Sequence, residues 1–268
     1  MPNLPTDLFF DTAAYAHRDL LAADTAWTAL KSLQSYMDAQ TYQRTLFGPG
    51  ADGRPLTHHL VLFNGSIMAA DDTVSIDFGD ATKGRLVVQR HGEPLPGASV
   101  IMAGAVLVGA DIRLGQGVLV ESGAFLKAPL IVGDRTEIRQ GAYLRGYCLI
   151  GERCVVGHTT EIKHSIFLDD AKAGHFAYIG DSILGNRVNL GAGTKLANFR
   201  FLPGNVRIKT TDGPVDSGLR KLGALLGDET QTGCNSVTSP GTLIGPRSLV
   251  MPNVTVPSGA HPAKSILR

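Results

Sequence analysis

The chain has 268 residues, with 25 Lys and Arg against 24 Asp and Glu and a formal net charge of +1. That balance excludes a broad electrostatic footprint for nucleic acid and leaves only a local basic pocket open. Mean hydropathy of +0.06 and 43% hydrophobic residues exclude a mostly disordered chain, and no apolar run approaches the roughly 18 residues of a membrane span.

The N-terminus, MPNLPTDLFFDTAAYAHRD, has no basic stretch leading into an apolar one, so no signal peptide is expected. From Ala23 to Met37 the apolar residues Trp27, Leu30, Leu33 and Met37 fall at helical spacing, and Asp24 or Thr25 can cap the helix. Val74 to Phe78 and Arg85 to Gln89 read as short strands. Residues 1–95 are therefore expected to form a small α/β extension. It would cap the remainder of the chain or serve as an interface.

A period of six begins at Val108 and runs through Leu114, Val120, Leu126, Val132, Ile138, Leu144, Ile150, Val156, Ile162 and Leu168. Such a period fits neither a helix nor a flat alternating strand. It fits a triangular coil in which each six-residue side turns one aliphatic residue inward and 18 residues complete a turn. The 32 glycines suit its corners. The frame then slips and is read again at Tyr178, Leu184, Leu190 and Leu196. Residues 199–221 read as a loop leaving the coil, of a length that is usually functional or disordered. The frame resumes at Leu226 and reaches Ile244, Val250 and Val256, with Thr232 and Thr238 between. Cys148, Cys154 and Cys234 are odd in number and lack metal spacing, so free thiols in a reducing compartment, and a cytoplasmic location, are expected.

The stretch AKAGHFAYIGDSILGNRVNLGAGTKLANF (171–199) and the later VDSGLRKLGALLGDETQTGCN (215–235) resemble the acetyltransferase coil of bifunctional sugar-1-phosphate nucleotidylyltransferase/acetyltransferases. The second run is similar to the archaeal-type branch. With the hexads, the resemblance covers roughly residues 95–260. It implies a mainly β protein, a left-handed parallel β-helix over 96–268, acting as a homotrimer with acetyl-CoA as cosubstrate. The GxGTR loop of that family's nucleotidylyltransferase half has no counterpart before the coil, so pyrophosphorylase activity is not implied.

Acetyl transfer from a thioester to an amine needs a base, an acceptor pocket and a slot for coenzyme A. By resemblance His175 is the base and Asn198 orients it. Lys163, twelve residues before His175, is the phosphate-contacting lysine. Arg139, in IRQGA, matches an RPGA arginine with Gln140 in place of proline, and Arg145 has the expected spacing without the motif. Tyr178 and Asn189 stand as sugar and phosphate contacts. Lys209 or Arg207 is the nearest candidate for a lysine supplied by the loop, which could reach a neighbouring subunit. Phe199 and Cys234 fall near cofactor positions, although a cysteine there also suits a small core residue. The implied acceptor is an amino-sugar 1-phosphate, glucosamine or galactosamine. A nucleotide-linked amino sugar, or a non-catalytic scaffold in sugar-nucleotide synthesis, is the alternative. A zinc site of three histidines is disfavoured because His158 and His164, six apart, occupy successive sides. No metal, nucleic acid or membrane partner is expected.

Overall fold

The computed structural model describes residues 4–44 and 52–268. The six-residue period becomes a parallel β-helix with three faces, whose strands belong to an 11-stranded, a 9-stranded and an 8-stranded sheet. In chain order each turn visits the first face (Leu119–Val120, for example), the second (Phe125–Lys127) and the third (Leu130–Val132). The hexad residues point inward, and Val120, Leu126, Val132, Ile138, Leu144 and Ile150 form part of a continuous buried core. Neighbouring turns are spaced by one strand, about 4.8 Å.

The slip lies earlier than the spacing predicts. Early turns pair residues 18 apart, such as Leu130 with Cys148, but Cys148 pairs with Ser165 and Ile166 with Ile183, each 17 apart. The missing residue is taken out at the edge between the second and third faces. Phe167, not Leu168, is therefore the inward residue, and Leu168 points outward into a second cluster. Ile179 likewise takes the inward place expected of Tyr178. His164 (φ 46°) and Asp181 (φ 48°) sit at the two shortened corners in the left-handed region, which non-glycine residues seldom adopt.

Residues 199–221 are not structureless. They carry an antiparallel hairpin, Arg207–Thr210 with Gly213–Asp216, and the register of the third face jumps across them from Ile183 to Leu225. Ahead of the coil, α1 (Arg18–Leu21) and α2 (Thr28–Asp38) lie along the outer side of the third face. Trp27, Leu30, Leu33 and Met37 pack there with Ile131, Leu149, Ile166 and Leu225. The helix starts later than expected, and neither Asp24 nor Thr25 caps it: its N-cap is Trp27, without a side-chain cap bond. Three strands missed in the sequence, β1 (Asp52–Pro55), β2 (Leu60–Phe63) and β3 (Ser66–Ala69), cover the open end. β1 runs antiparallel to Val106–Val108 and β2 to Ser99–Ile101, so the first strands of the first and second faces are paired, while Ile112–Leu114 stays at the edge of the third. No helix among the described residues is long and apolar enough to cross a membrane.

Candidate active site

The candidate residues gather on two edges of the coil, one at each margin of the second face. At the edge between second and third faces, Lys163 ends the strand Glu161–Lys163. Asp181 stands one turn above it and Asn198 one turn above Asp181, because Lys163 pairs with Gly180 and Ile179 with Leu196. Asp181 is buried and shared. Its Oδ2 accepts from Asn198 Nδ2 at 2.5 Å and lies 3.7 Å from Lys163 Nζ, while its Oδ1 lies 3.0 Å from His164 Nδ1. The His164 contact is close but poorly directed, since Nδ1 is buried without an aligned hydrogen bond. Tyr178 completes the group by donating to Asn198 Oδ1 at 3.4 Å. Burial, helped by the charges of Glu161 and Asp181, raises its phenol pKa. The tyrosine lies over Gly180, where a Cβ would come within 2.7 Å of its hydroxyl and 2.5 Å of Asn198 Nδ2. Only glycine leaves room for this bond.

The other edge, between first and second faces, carries His175 at the end of Lys172–His175. It is exposed and its ring makes no hydrogen bond among the described residues, while Phe176 beside it is left-handed at φ 53°. His158 is its partner in register one turn below. His158 Nδ1–H donates to the Gln140 carbonyl at 3.0 Å, and the Phe176 ring meets it edge-on at 5.3 Å. The histidine stacked nearest His158 in the coil is thus 17 residues away in sequence, not six. Among the described residues no three His, Cys, Asp or Glu converge as a metal set.

Asn198 does not orient His175 within one chain, because its amide is spent on Asp181 and Tyr178 at the opposite edge. Arg139 lies on the His175 edge with its guanidinium held by Glu137 at 2.8 and 3.0 Å. Arg145 lies on the Lys163 edge, one turn below, since Leu144 pairs with Ile162; it bonds Glu161 at 2.6 Å. Asn189 is exposed on the first face. Cys234 is exposed rather than a core residue, on the His175 edge two turns up. Phe199 is exposed beneath the Arg220 guanidinium, 4.4 Å from the ring centroid. Lys209 does not join Lys163. With Arg200, Arg207, Ser239 and Ser258 it lines a cleft of about 350 Å³ with no carboxylate in its wall among the described residues. Ser239 and Ser258 belong to the third and fourth turns above Lys163, which is about 14–19 Å at the strand spacing.

Comparison with known proteins identifies relatives of the chain. A family model described as the GMPPB C-terminal domain matches residues 126–212. A bifunctional sugar-1-phosphate nucleotidylyltransferase/acetyltransferase of Sulfurisphaera tokodaii is 38% identical over 101 residues, 38% of this chain and 25% of that protein. The chain thus spans about a quarter of that relative's length. The uncharacterized acetyltransferase YaiX of Escherichia coli is 35% identical over 163 residues, 59% of this chain and 68% of that protein. This chain belongs to the hexapeptide-repeat acetyltransferases. Among solved structures, the acetyltransferase domain of PglB from Neisseria gonorrhoeae, in complex with acetyl coenzyme A, is 16% identical. It covers 63% of this chain and 57% of that one at a TM-score of 0.26, too loose a likeness to carry an argument.

In this hexapeptide acetyltransferase, sequence reasoning did not single out Asp181 or Arg200, and weighed His158 and His164 only as metal ligands. Asp181 stood inside the YIGD motif, yet nothing in linear spacing shows that one carboxylate serves Lys163, His164 and Asn198. The register shift to 17 residues decides which side chains share an edge, and the sequence frame had placed that shift after Leu168.

Proposed function

We propose that this acetyltransferase moves acetyl from acetyl-CoA to the amine of an amino-sugar 1-phosphate, glucosamine or galactosamine. The observation that carries the reading is the convergence of motif residues 35 positions apart, Lys163 to Asn198, on one buried carboxylate, with an unbonded imidazole, His175, at the other margin of the same face. Lys163, still partly exposed beside Asp181, receives the acceptor phosphate with Arg145 from the turn below. Tyr178 and Asn189 meet sugar hydroxyls. His175 takes the proton of the acceptor ammonium, and the freed nitrogen attacks the thioester carbonyl. As the C–S bond breaks, the imidazolium returns the proton to the leaving thiolate, and the second proton of the acylated nitrogen is lost to solvent. An imidazole suits both steps because one ring nitrogen can accept a proton and then release it.

His175 and Lys163 sit on different edges, so one site is completed by two copies of the chain, as a homotrimer provides. Coenzyme A runs along the Lys163 edge past Phe199, with its phosphates on Arg200, Arg207 and Lys209. The separation of that cleft from Lys163 suits the extended pantetheine arm. Cys234 flanks the arm from the His175 edge of the other copy.

A free-thiol release assay with acetyl-CoA and a panel of amino sugars tests this. Glucosamine 1-phosphate or galactosamine 1-phosphate should release CoA, and phosphate-free glucosamine should react poorly. Equal rates with and without the phosphate would remove the phosphate role of Lys163. Faster release with nucleotide-linked amino sugars would move the acceptor class.

A further inference from the structure

The basic cleft is built from three stretches of chain. Its hairpin rests on the coil corner through Ser258, whose Oγ donates to the Arg207 carbonyl at 3.1 Å. It comes so close there that a Cβ at Gly241 would lie 2.7 Å from Val206 Cγ1, and one at Gly259 2.9 Å from the Lys209 carbonyl oxygen. The opposite side of the hairpin is held by the N-terminal segment. Trp27, at the N-cap of α2 and 3% exposed, packs in one cluster with Val206, Ile208 and Leu222. Its Nε1–H donates to the Ser217 carbonyl at 3.2 Å. Ser217 is wholly buried, and its Oγ ties the two ends of the hairpin together: it donates to the Val206 carbonyl at 2.6 Å and accepts from Leu219 N–H at 3.1 Å. The bond from Trp27 therefore ends on the residue that closes the hairpin.

We infer that Trp27 is a positioning residue for phosphate recognition: through Ser217 it sets where Arg207 and Lys209 stand over the coil edge, which makes the N-terminal segment part of the binding site and not only a cover for the coil. This rests on the proposed use of acetyl-CoA for its catalytic consequence, but the anion site can be tested without turnover. A buried neutral hydrogen bond of this kind, when removed, is worth a roughly three- to tenfold change in an equilibrium it biases.

The test uses the full chain carrying Trp27→Phe, which keeps an aromatic ring and loses the donor, with Trp27→Leu as a second, larger perturbation. Calorimetric titration with adenosine 3′,5′-bisphosphate, the phosphate-bearing fragment of the cosubstrate, reads the cleft directly. Binding should weaken roughly three- to tenfold in Trp27→Phe, and at least as much in Trp27→Leu. In turnover, KM for acetyl-CoA should rise by the same factor with kcat held, whereas acetyl-pantetheine, which lacks these phosphates, should show no change between wild type and Trp27→Phe. Equal bisphosphate affinity in wild type and Trp27→Phe would overturn the inference, and so would equal losses with acetyl-CoA and acetyl-pantetheine, which mark general loosening. A wild type that does not bind the bisphosphate overturns it as well. If bisphosphate binding responds to Trp27→Phe but no acceptor is acetylated, the positioning role stands and the proposed reaction falls.

Discussion

His175 is an exposed imidazole with no hydrogen-bond partner among the described residues, at a corner where its side chain contributes nothing to the core. His175→Ala should therefore leave the coil intact. If the ring is the general base, kcat should fall by about 10² to 10⁴, while calorimetry still detects acetyl-CoA binding. Transfer at near wild-type rate would mean that the acceptor arrives already deprotonated. Within one copy Asn198 stands away from His175. Its amide bridges Asp181 and Tyr178 and so shapes the Lys163 edge. Gly180 makes that bridge possible. Gly180→Ala would drive a Cβ into both the tyrosine hydroxyl and the asparagine amide, so Tyr178 must leave. The expected result is a raised KM for the sugar phosphate together with a Tm several degrees lower, a cost on the order of 1–3 kcal/mol for overpacking. Unchanged acceptor kinetics in this variant would place Tyr178 outside the acceptor pocket.

At the scale of elements, the aliphatic period of six was legible because each inward residue has only core to face. What hid the slip was the third face, which is apolar on both sides. Its outward residues Ile131, Leu149, Ile166 and Leu168 are covered by the N-terminal segment, so Phe167 and Leu168 both read as core and hydrophobicity alone cannot choose between them. The hairpin in 207–216 was illegible for the opposite reason: its strands alternate exposed residues with buried or half-buried ones over only four residues each, inside a stretch rich in charge. The N-terminal segment also carries a pH dependence. His17 is partly buried, its Nδ1 is 2.8 Å from the Tyr36 hydroxyl, and burial, followed by the charge of Arg113, lowers its pKa from 6.5 to about 4. The folded form thus refuses a proton that the unfolded chain accepts. The contribution of His17 to stability is full above pH 6.5 and is lost as pH falls from there towards 4. Melting curves across that window should show a smaller loss in His17→Gln than in wild type. Parallel losses would mean that other groups set the acid sensitivity.

For the whole molecule, the two chemical edges were not legible as separate, because a motif read in one dimension joins His175, Tyr178 and Asn198 into one line. In three dimensions the second face lies between them. The surface supports pairing of unlike sides. Phe199, Phe201 and Leu202 are exposed apolar groups at the Lys163 edge, whereas Leu249, Met251 and Ile266 are exposed on the first face and the His175 edge. Joining one patch to the other is a head-to-tail contact, which closes into a ring when the rotation is threefold. Light scattering should accordingly give three times the 28.3 kDa chain mass. Mixing then decides whether the site is shared. His175→Ala and Lys163→Ala chains, each inactive alone, are co-expressed with different affinity tags and the doubly tagged species is assayed for CoA release. If the site draws His175 from one copy and Lys163 from the next, every doubly tagged trimer holds an intact pair at one of its three interfaces, and activity returns to about a third of wild type. If the mixed species is as inactive as its parents, the two residues do not meet across copies, and the composite site is wrong.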